Sequence, residues 1–134
     1  MTNTIIKDSG QREEYASGAR RDNHEGKGRM DLLPAEAILR LTRWYEWGAK
    51  KYGDHNWEKG MPIARYLDAA LRHAFKYMAG AGDEDHLSAA VWNLLCIMYH
   101  EHHQPELQDL PAWKGRKTNW LYHIDYEPDV KKES

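Results

Sequence analysis

The sequence predicts a single all-α domain, a helical bundle that is completed by oligomerisation. Three segments carry apolar residues at three- and four-residue spacing, and proline or glycine stands at several of their ends. With 134 residues the chain can bury one core but is too short for two. We expect a polar arm over residues 1–30, a helical core over 31–104 and an irregular tail over 105–134.

The predicted arm contains no pattern that could bury one face. Residues 18–29 are polar and interrupted by glycines, with neither a two-residue nor a 3.6-residue period. Its basic residues could fold over a polyphosphate, since guanidinium groups and backbone amides suit phosphate oxygens. The alternative is a solvated terminus. The basic residues concerned are Arg20, Arg21, Lys27 and Arg29.

The first helix is predicted over residues 34–50. Pro34 suits the first helical position, and Ile38, Leu41 and Tyr45 recur at helical spacing. Residues 52–60 hold two glycines with Asp and Asn between them, which favours turns. We therefore expect a structured connection after this helix.

The second helix opens at Pro62 and ends before Gly80, with one wide apolar stripe between them. Its polar face carries Asp68 and Arg72, and His73 lies at the border of that face. Helical spacing alone is equally consistent with a surface ion-pair ladder. The alternative is a functional face, in which Arg72 binds phosphate and His73 handles a proton or orients a group.

The third helix is predicted over residues 85–103 and is apolar around most of its circumference. Such a helix must be buried, and three helices offer little to surround it. We therefore expect a homo-oligomer, either a dimer or a tetramer.

Polar residues interrupt this third helix at seven-residue intervals. His86, Asn93 and His100 form one stripe, and a buried amide such as that of Asn93 requires a partner. A structural network is the simpler interpretation and a ligand site the other. The acidic residues before the stripe can cap the helix or, with substrate phosphates, bind a hard cation such as Mg²⁺. These are Asp83, Glu84 and Asp85.

Composition and missing motifs exclude several classes of function. The 19 Lys and Arg nearly balance 21 Asp and Glu, so a groove for polymeric nucleic acid is not expected. Cys96 is the only cysteine, which excludes an internal disulfide and fits a reducing compartment. No apolar run is long enough to span a membrane, and we expect a soluble cytoplasmic protein. Phosphate-loop, serine-elbow and paired-cysteine zinc patterns do not occur.

Several short motifs in a fixed order resemble the phage family of dATP/dGTP diphosphohydrolases. The likeness covers roughly residues 17–101 and connects the chain to all-α MazG-type pyrophosphohydrolases, including the MazZ enzymes of phages that replace adenine with 2-aminoadenine. The motifs are Gly26-Lys-Gly-Arg-Met-Asp-Leu-Leu-Pro34, Gly48-Ala-Lys-Lys-Tyr-Gly53, Asn56-Trp57, Gly60, Arg72-His73, His86-Leu87 and Trp92-Asn93-Leu94-Leu95.

The resemblance implies hydrolysis of a purine deoxynucleoside triphosphate to the monophosphate and pyrophosphate in the host cytoplasm. Water activated by Mg²⁺, or Mn²⁺ as a substitute, would attack the α-phosphorus. The expected metal ligands are Asp68, Asp83, Glu84 and Asp85. The expected catalytic or orienting residues are His73, His86 and Asn93. The expected substrate-binding residues are Lys27, Arg29, Lys50, Lys51, Tyr52, Asn56, Trp57 and Arg72, with Tyr52 and Trp57 stacking on the base.

Other functions remain open on the sequence alone. MazG proteins carry Glu-x-x-Asp where this chain reads Ala90-Val-Trp-Asn93, and the matched family has a second histidine where Ala89 stands. A non-catalytic nucleotide-binding or regulatory module is therefore the alternative, and it predicts thermal stabilisation without product. A triphosphohydrolase of the HD type ranks lower because no adjacent His-Asp pair occurs. A structural phage protein would not respond to nucleotide.

Overall fold

A computed structural model describes residues 10–116 and 120 of the chain. Two compact units are distinguished, and of the described residues 10–32 belong to the first, whereas 33–116 and 120 belong to the second. The three α-helices among the described residues lie in the second unit, and this helical structure confirms the prediction of an all-α fold. None of the described helices is both long and apolar enough to cross a membrane.

The first unit contains a two-stranded antiparallel ribbon that the sequence analysis did not predict. Strand β1 spans Arg12–Glu14 and β2 spans Arg20–Asp22, and a 3-10 turn follows at Met30–Leu32. Arg12 lies opposite Asp22, and their side chains form an ion pair. Charged residues dominate both strands, so there was no apolar alternation to indicate them.

The second unit is a three-helix arrangement. Helix α1 spans Ala35–Tyr52, α2 spans Ile63–Met78 and α3 spans His86–His103. These limits lie within about two residues of those that helical spacing and the positions of proline and glycine predict. Short 3-10 turns follow α1 and α3, at Asn56–Glu58 and Pro105–Leu107.

The core lies between α2 and α3. Ile63 and Tyr66 of α2 pack with Cys96 of α3, and each side chain is almost fully buried. Burial raises the pKa of Tyr66 and that of Cys96 to about 12, so both groups are neutral at physiological pH. We infer that Cys96 is a core residue and not a nucleophile.

Polar contacts attach the connecting segments to this core. The ring of His100 stacks on Tyr66 and its Nε2 lies 2.9 Å from the carbonyl oxygen of Trp57. Asp109, beyond the last 3-10 turn, accepts a hydrogen bond from the amide of Ala64 in the first turn of α2. A side chain distant in sequence therefore supplies the cap that Pro62 cannot provide.

The outer sides of the helices expose many apolar side chains. The sequence predicts that α3 is buried on nearly all sides. Within one chain, only part of its circumference is buried. Its exposed residues follow helical spacing and form one stripe: Val91, Leu94, Leu95 and Met98. A matching stripe on α2 consists of Leu71, Phe75 and Met78.

The predicted irregular tail is described only in part. After Leu107 the chain continues through turns at residues 111–115. The rest of the expected tail, apart from Trp120, lies outside the described residues.

The replacement Gly60→Ala should destabilise the protein more than the same replacement at a glycine in open space. Gly60 has φ +84°, and an added methyl group would lie 2.5 Å from Gln104 Oε1 and 2.6 Å from Leu107 Cδ1. We expect the free energy of unfolding, measured by urea titration, to fall by about 2 kcal/mol, because backbone strain adds to the cost of displacing two side-chain ends, of which that of Gln104 donates a hydrogen bond to the Glu58 carbonyl. The matched control is Gly80→Ala.

Gly80 has a similar φ of +83°, but an added methyl group would meet no described atom within 4 Å. Its replacement should cost about 1 kcal/mol from backbone strain alone. Equal losses in the two variants would show that the close packing around Gly60 contributes nothing to stability.

Candidate functional site

The turn between α2 and α3 brings two histidines together. His73 lies in α2 and His86 is the first residue of α3, and their Nδ1 atoms are 2.9 Å apart. His86 is 2% exposed, and His73 is largely buried. Two imidazoles in contact at this depth require groups around them that satisfy their nitrogens.

Glu84 completes a three-residue cluster with this pair. Its Oε1 lies 3.4 Å from His73 Nδ1 and 3.5 Å from His86 Nδ1. Within residues 10–116 and 120, these three side chains are the group of His, Cys, Asp or Glu that could hold a metal ion. We call them the His-His-Glu cluster.

Asp83 orients His86 from the other side of its ring. The Asp83 Oδ1 atom lies 2.8 Å from His86 Nε2, and this hydrogen bond lowers the pKa of the Asp83 carboxyl. An ionised carboxylate can only accept, so the proton of neutral His86 stays on Nε2. The lone pair of His86 therefore lies on Nδ1, the atom that faces His73 and Glu84.

Burial lowers the pKa of His73, while the charge of Glu84 opposes the shift. The neutral imidazole is therefore favoured at physiological pH. Neutral imidazole is the form that binds metal ions.

Asp85 has a structural role at the start of α3. Its carboxylate accepts hydrogen bonds from the amide and the hydroxyl of Ser88, and it forms a two-point ion pair with Arg40 of α1. The hydrogen bond with Arg40 lowers the pKa of Asp85 far below its usual range. Both oxygens are thus engaged in capping α3 and joining it to α1.

A pocket of about 310 Å³ opens beside the His-His-Glu cluster, between α1 and α3. His73, Glu84 and Lys51 form part of its wall, and the Lys51 ammonium lies 5.2 Å from the centroid of the Tyr52 ring. Trp44 stands edge-on to His73, with ring centroids 6.5 Å apart. The remaining lining residues are Trp47, Gly48, Tyr52, Ala89, Trp92 and Asn93.

A second pocket of about 380 Å³ adjoins the first. The two share Gly48, Tyr52 and Trp92, so they form neighbouring parts of one surface. Asn56 and Trp57 line only the second pocket, which contains none of the His-His-Glu cluster. A ligand with a flat ring and a charged chain could thus extend from one pocket into the other.

The profile of a family described as dATP/dGTP diphosphohydrolase, N-terminal, matches residues 17–110. The chain belongs to this family. The match covers both the helices and the clustered histidines, and it confirms the resemblance seen in the sequence motifs. No curated protein and no solved structure matches the chain.

In this diphosphohydrolase-family chain, several of the expected site residues meet at the first pocket. His73, Glu84 and His86 form the cluster, with Asp83 on the outer side of His86. Asn93 is buried, and its amide nitrogen donates to the carbonyl oxygen of Ala89, which supplies the partner that burial requires. Lys51 and Tyr52 also line this pocket, and Asn56 and Trp57 line the neighbouring one.

Other expected site residues have different surroundings. Asp68 pairs with Arg65 and Arg72 on the exposed face of α2, which is the ion-pair ladder that the spacing allowed. Lys50 is exposed near the end of α1 and does not line either of these pockets.

The two expected phosphate-binding residues of the arm lie in the first unit. Lys27 pairs with Asp22, and Arg29 forms a two-point ion pair with Asp31. Their role toward substrate stays a prediction.

The sequence predicted no site role for three tryptophans of the first pocket, although Trp92 belongs to one of the family motifs. Trp44 and Trp47 are three residues apart on α1, and Trp92 lies on α3 next to Asn93. The only available indication was an unusual density of aromatics near polar positions. Helical spacing cannot distinguish a pocket wall from a core, so none of the three was assigned to a binding site.

Proposed function

We propose that this chain hydrolyses a purine deoxynucleoside triphosphate, dGTP or dATP, to the monophosphate and pyrophosphate. Family membership indicates a dATP/dGTP diphosphohydrolase. The observation that carries the proposal is the pocket in which the His-His-Glu cluster, a lysine and aromatic walls occur together. Anionic phosphates, a metal ion and a flat base each find a suitable group there.

The aromatic walls suit a nucleobase. Trp44, Trp47 and Trp92 offer ring faces and edges in the first pocket, and Tyr52 borders both pockets. Stacking on aromatic rings is strong but tolerates any base. Choice of a purine therefore requires hydrogen bonds as well, and we assign these to the polar side chains of Asn56 and Asn93.

The phosphates require positive charge. Lys51 lines the pocket that also contains His73 and Glu84, and we assign it to the triphosphate. Lys50 and Arg72 are further candidates, and the arm residues Lys27 and Arg29 would have to exchange their present carboxylate partners for phosphate oxygens.

The residues at the pocket fit a divalent cation because two imidazole nitrogens and a carboxylate oxygen converge within 3.5 Å of one another. When bound, such an ion supplies positive charge to phosphate oxygens and makes water a better nucleophile at neutral pH. The protein would hold the two imidazole nitrogens and the carboxylate oxygen together, and it would position the triphosphate next to them.

The proposed reaction transfers the nucleoside monophosphoryl group, which contains the α-phosphorus, to water. The water oxygen forms a bond to the α-phosphorus, and the bond from that phosphorus to the bridging oxygen breaks. The bond's electron pair leaves with pyrophosphate, and the proton of the attacking water passes to solvent. Lys51 would stabilise the negative charge that the leaving group gains.

We also propose that the protein acts as a homo-oligomer. Stripes of exposed apolar residues run along both α2 and α3, and Phe75 and Met98 are more than 60% exposed. Exposed apolar surface of this kind is typical of protein interfaces. A monomer in sedimentation velocity at micromolar concentration would exclude this assembly.

The purified protein should convert dGTP or dATP to the monophosphate and pyrophosphate in the presence of Mg²⁺ or Mn²⁺. The test is anion-exchange chromatography of reactions with each of the four deoxynucleoside triphosphates. EDTA should abolish turnover because the cluster then lacks its ion. Release of tripolyphosphate or of a diphosphate would contradict the proposal. Thermal stabilisation by nucleotide without any product would indicate a non-catalytic binding module instead.

The replacement Lys51→Ala should reduce kcat/KM for the preferred nucleotide by about 10- to 100-fold, because one charge-assisted phosphate contact is lost. The matched control is Arg43→Ala, which removes another exposed cation of α1 that lines neither pocket. The control should retain wild-type kcat/KM. Equal activity of the two variants would remove Lys51 from the site.

A further inference from the structure

We infer that the His-His-Glu cluster is a binding site for a transition-type divalent cation, of the class of Mn²⁺, Fe²⁺, Co²⁺ and Zn²⁺, in preference to Mg²⁺. The inference goes beyond the proposed function because it names the metal class and the atoms that bind it. It rests on the proposed function only for the use of the bound ion in hydrolysis.

The spacing of the three ligand atoms matches that of ligands around one ion. The two Nδ1 atoms are 2.9 Å apart, and Glu84 Oε1 lies 3.4 Å and 3.5 Å from them. Two ligands that are each about 2.1 Å from a common ion lie about 3.0 Å apart at a right angle and about 3.4 Å apart at a tetrahedral angle. The observed distances lie within about 0.1 Å of this range, so the side chains need little adjustment to bind.

The chemistry of the ligand atoms decides the class of ion. Mg²⁺ prefers oxygen ligands and retains several waters, whereas imidazole nitrogen suits transition-type ions. Two of the three ligand atoms in this cluster are imidazole nitrogens. The three side chains would fill three coordination positions of the ion, which leaves further positions for water and a phosphate oxygen.

Asp83 acts as a positioning residue for this site. It accepts the hydrogen bond of His86 Nε2 at 2.8 Å and so keeps the Nδ1 lone pair directed to the cluster side of the ring. A histidine that binds metal usually donates its other ring N–H to a carboxylate or carbonyl in this way. The hydrogen bond between Asp83 and His86 therefore gives His86 the support that a metal-binding histidine requires.

The surrounding fold holds the cluster in place without using its ligand atoms. Asp85 caps α3 through Ser88 and ties the helix start to Arg40 of α1. This arrangement fixes the backbone next to Glu84 and His86, and Asp85 itself is not a ligand in the proposed site.

The test is titration of EDTA-treated full-length protein with CoCl₂ and, separately, with MgCl₂, followed by calorimetry and by visible absorption of Co²⁺. We expect one Co²⁺ per chain, an absorption spectrum that reports nitrogen ligands, and weaker binding of Mg²⁺. Asp83→Asn should weaken Co²⁺ binding by about 10- to 100-fold. Glu84→Gln should also weaken it, and this partly exposed residue can be replaced without disturbing the core.

The control variant is His103→Ala, which removes an exposed histidine from the far end of α3. It should bind Co²⁺ as the wild type does. Loss of Co²⁺ binding in this control but not in Glu84→Gln would place the ion at the end of α3 and overturn the inference. Binding of Mg²⁺ as tightly as Co²⁺ would overturn it as well.

Unfolding curves recorded in EDTA identify any variant that fails to fold. If Glu84→Gln were to unfold, Asp83→Asn, which replaces a largely exposed side chain, provides the second measurement. Co²⁺ binding at the cluster without nucleotide hydrolysis would support the metal site and contradict the proposed function. Hydrolysis with unchanged Co²⁺ binding in both variants would support the proposed function and contradict this metal site.

Discussion

The close packing of α2 against α3 is the interaction on which the rest of the structure depends. The two helices are joined by a short turn, so contacts pair residues in opposite chain order: His73 meets His86, and Tyr66 meets His100. Small buried residues such as Ala70 and Ala89 allow the close approach of helices. The same packing that buries the core thus sets the separation of the two imidazoles.

Two buried histidines of α3 differ in the groups that they contact. His86 and His100 are both almost fully buried on α3, but their partners differ. His100 bonds to a backbone carbonyl and packs on Tyr66, and it therefore joins a loop to the core. His86 meets side chains that carry charge or lone pairs, and it lies next to the wall of a pocket. One polar stripe on one helix consequently has a structural end at His100 and, at His86, the end that we propose for metal binding.

The sequence predicted much of the fold, because proline, glycine and helical spacing mark the three helices. It also indicated His86 as part of a polar stripe on an otherwise apolar helix, and His73 at the border of the polar face of α2. It could not decide among Asp83, Glu84 and Asp85, since adjacent residues at a helix start point in different directions. Only the structure separates the carboxylate that caps α3 from the one that joins the cluster. The charged ribbon and the tryptophans of the pocket show no distinctive period, so the sequence predicted neither the ribbon nor a pocket role for the tryptophans.

The most direct test of this account is a crystal structure with Co²⁺ and a dGTP analogue whose α,β-bridging oxygen is replaced by an imido group. Anomalous scattering would locate the metal ion without ambiguity. The account predicts the ion between His73 Nδ1, His86 Nδ1 and Glu84, with an α-phosphate oxygen on its open side and the base against the aromatic walls. An ion bound at the Asp68 ladder, or a nucleotide away from the Trp44 pocket, would contradict it.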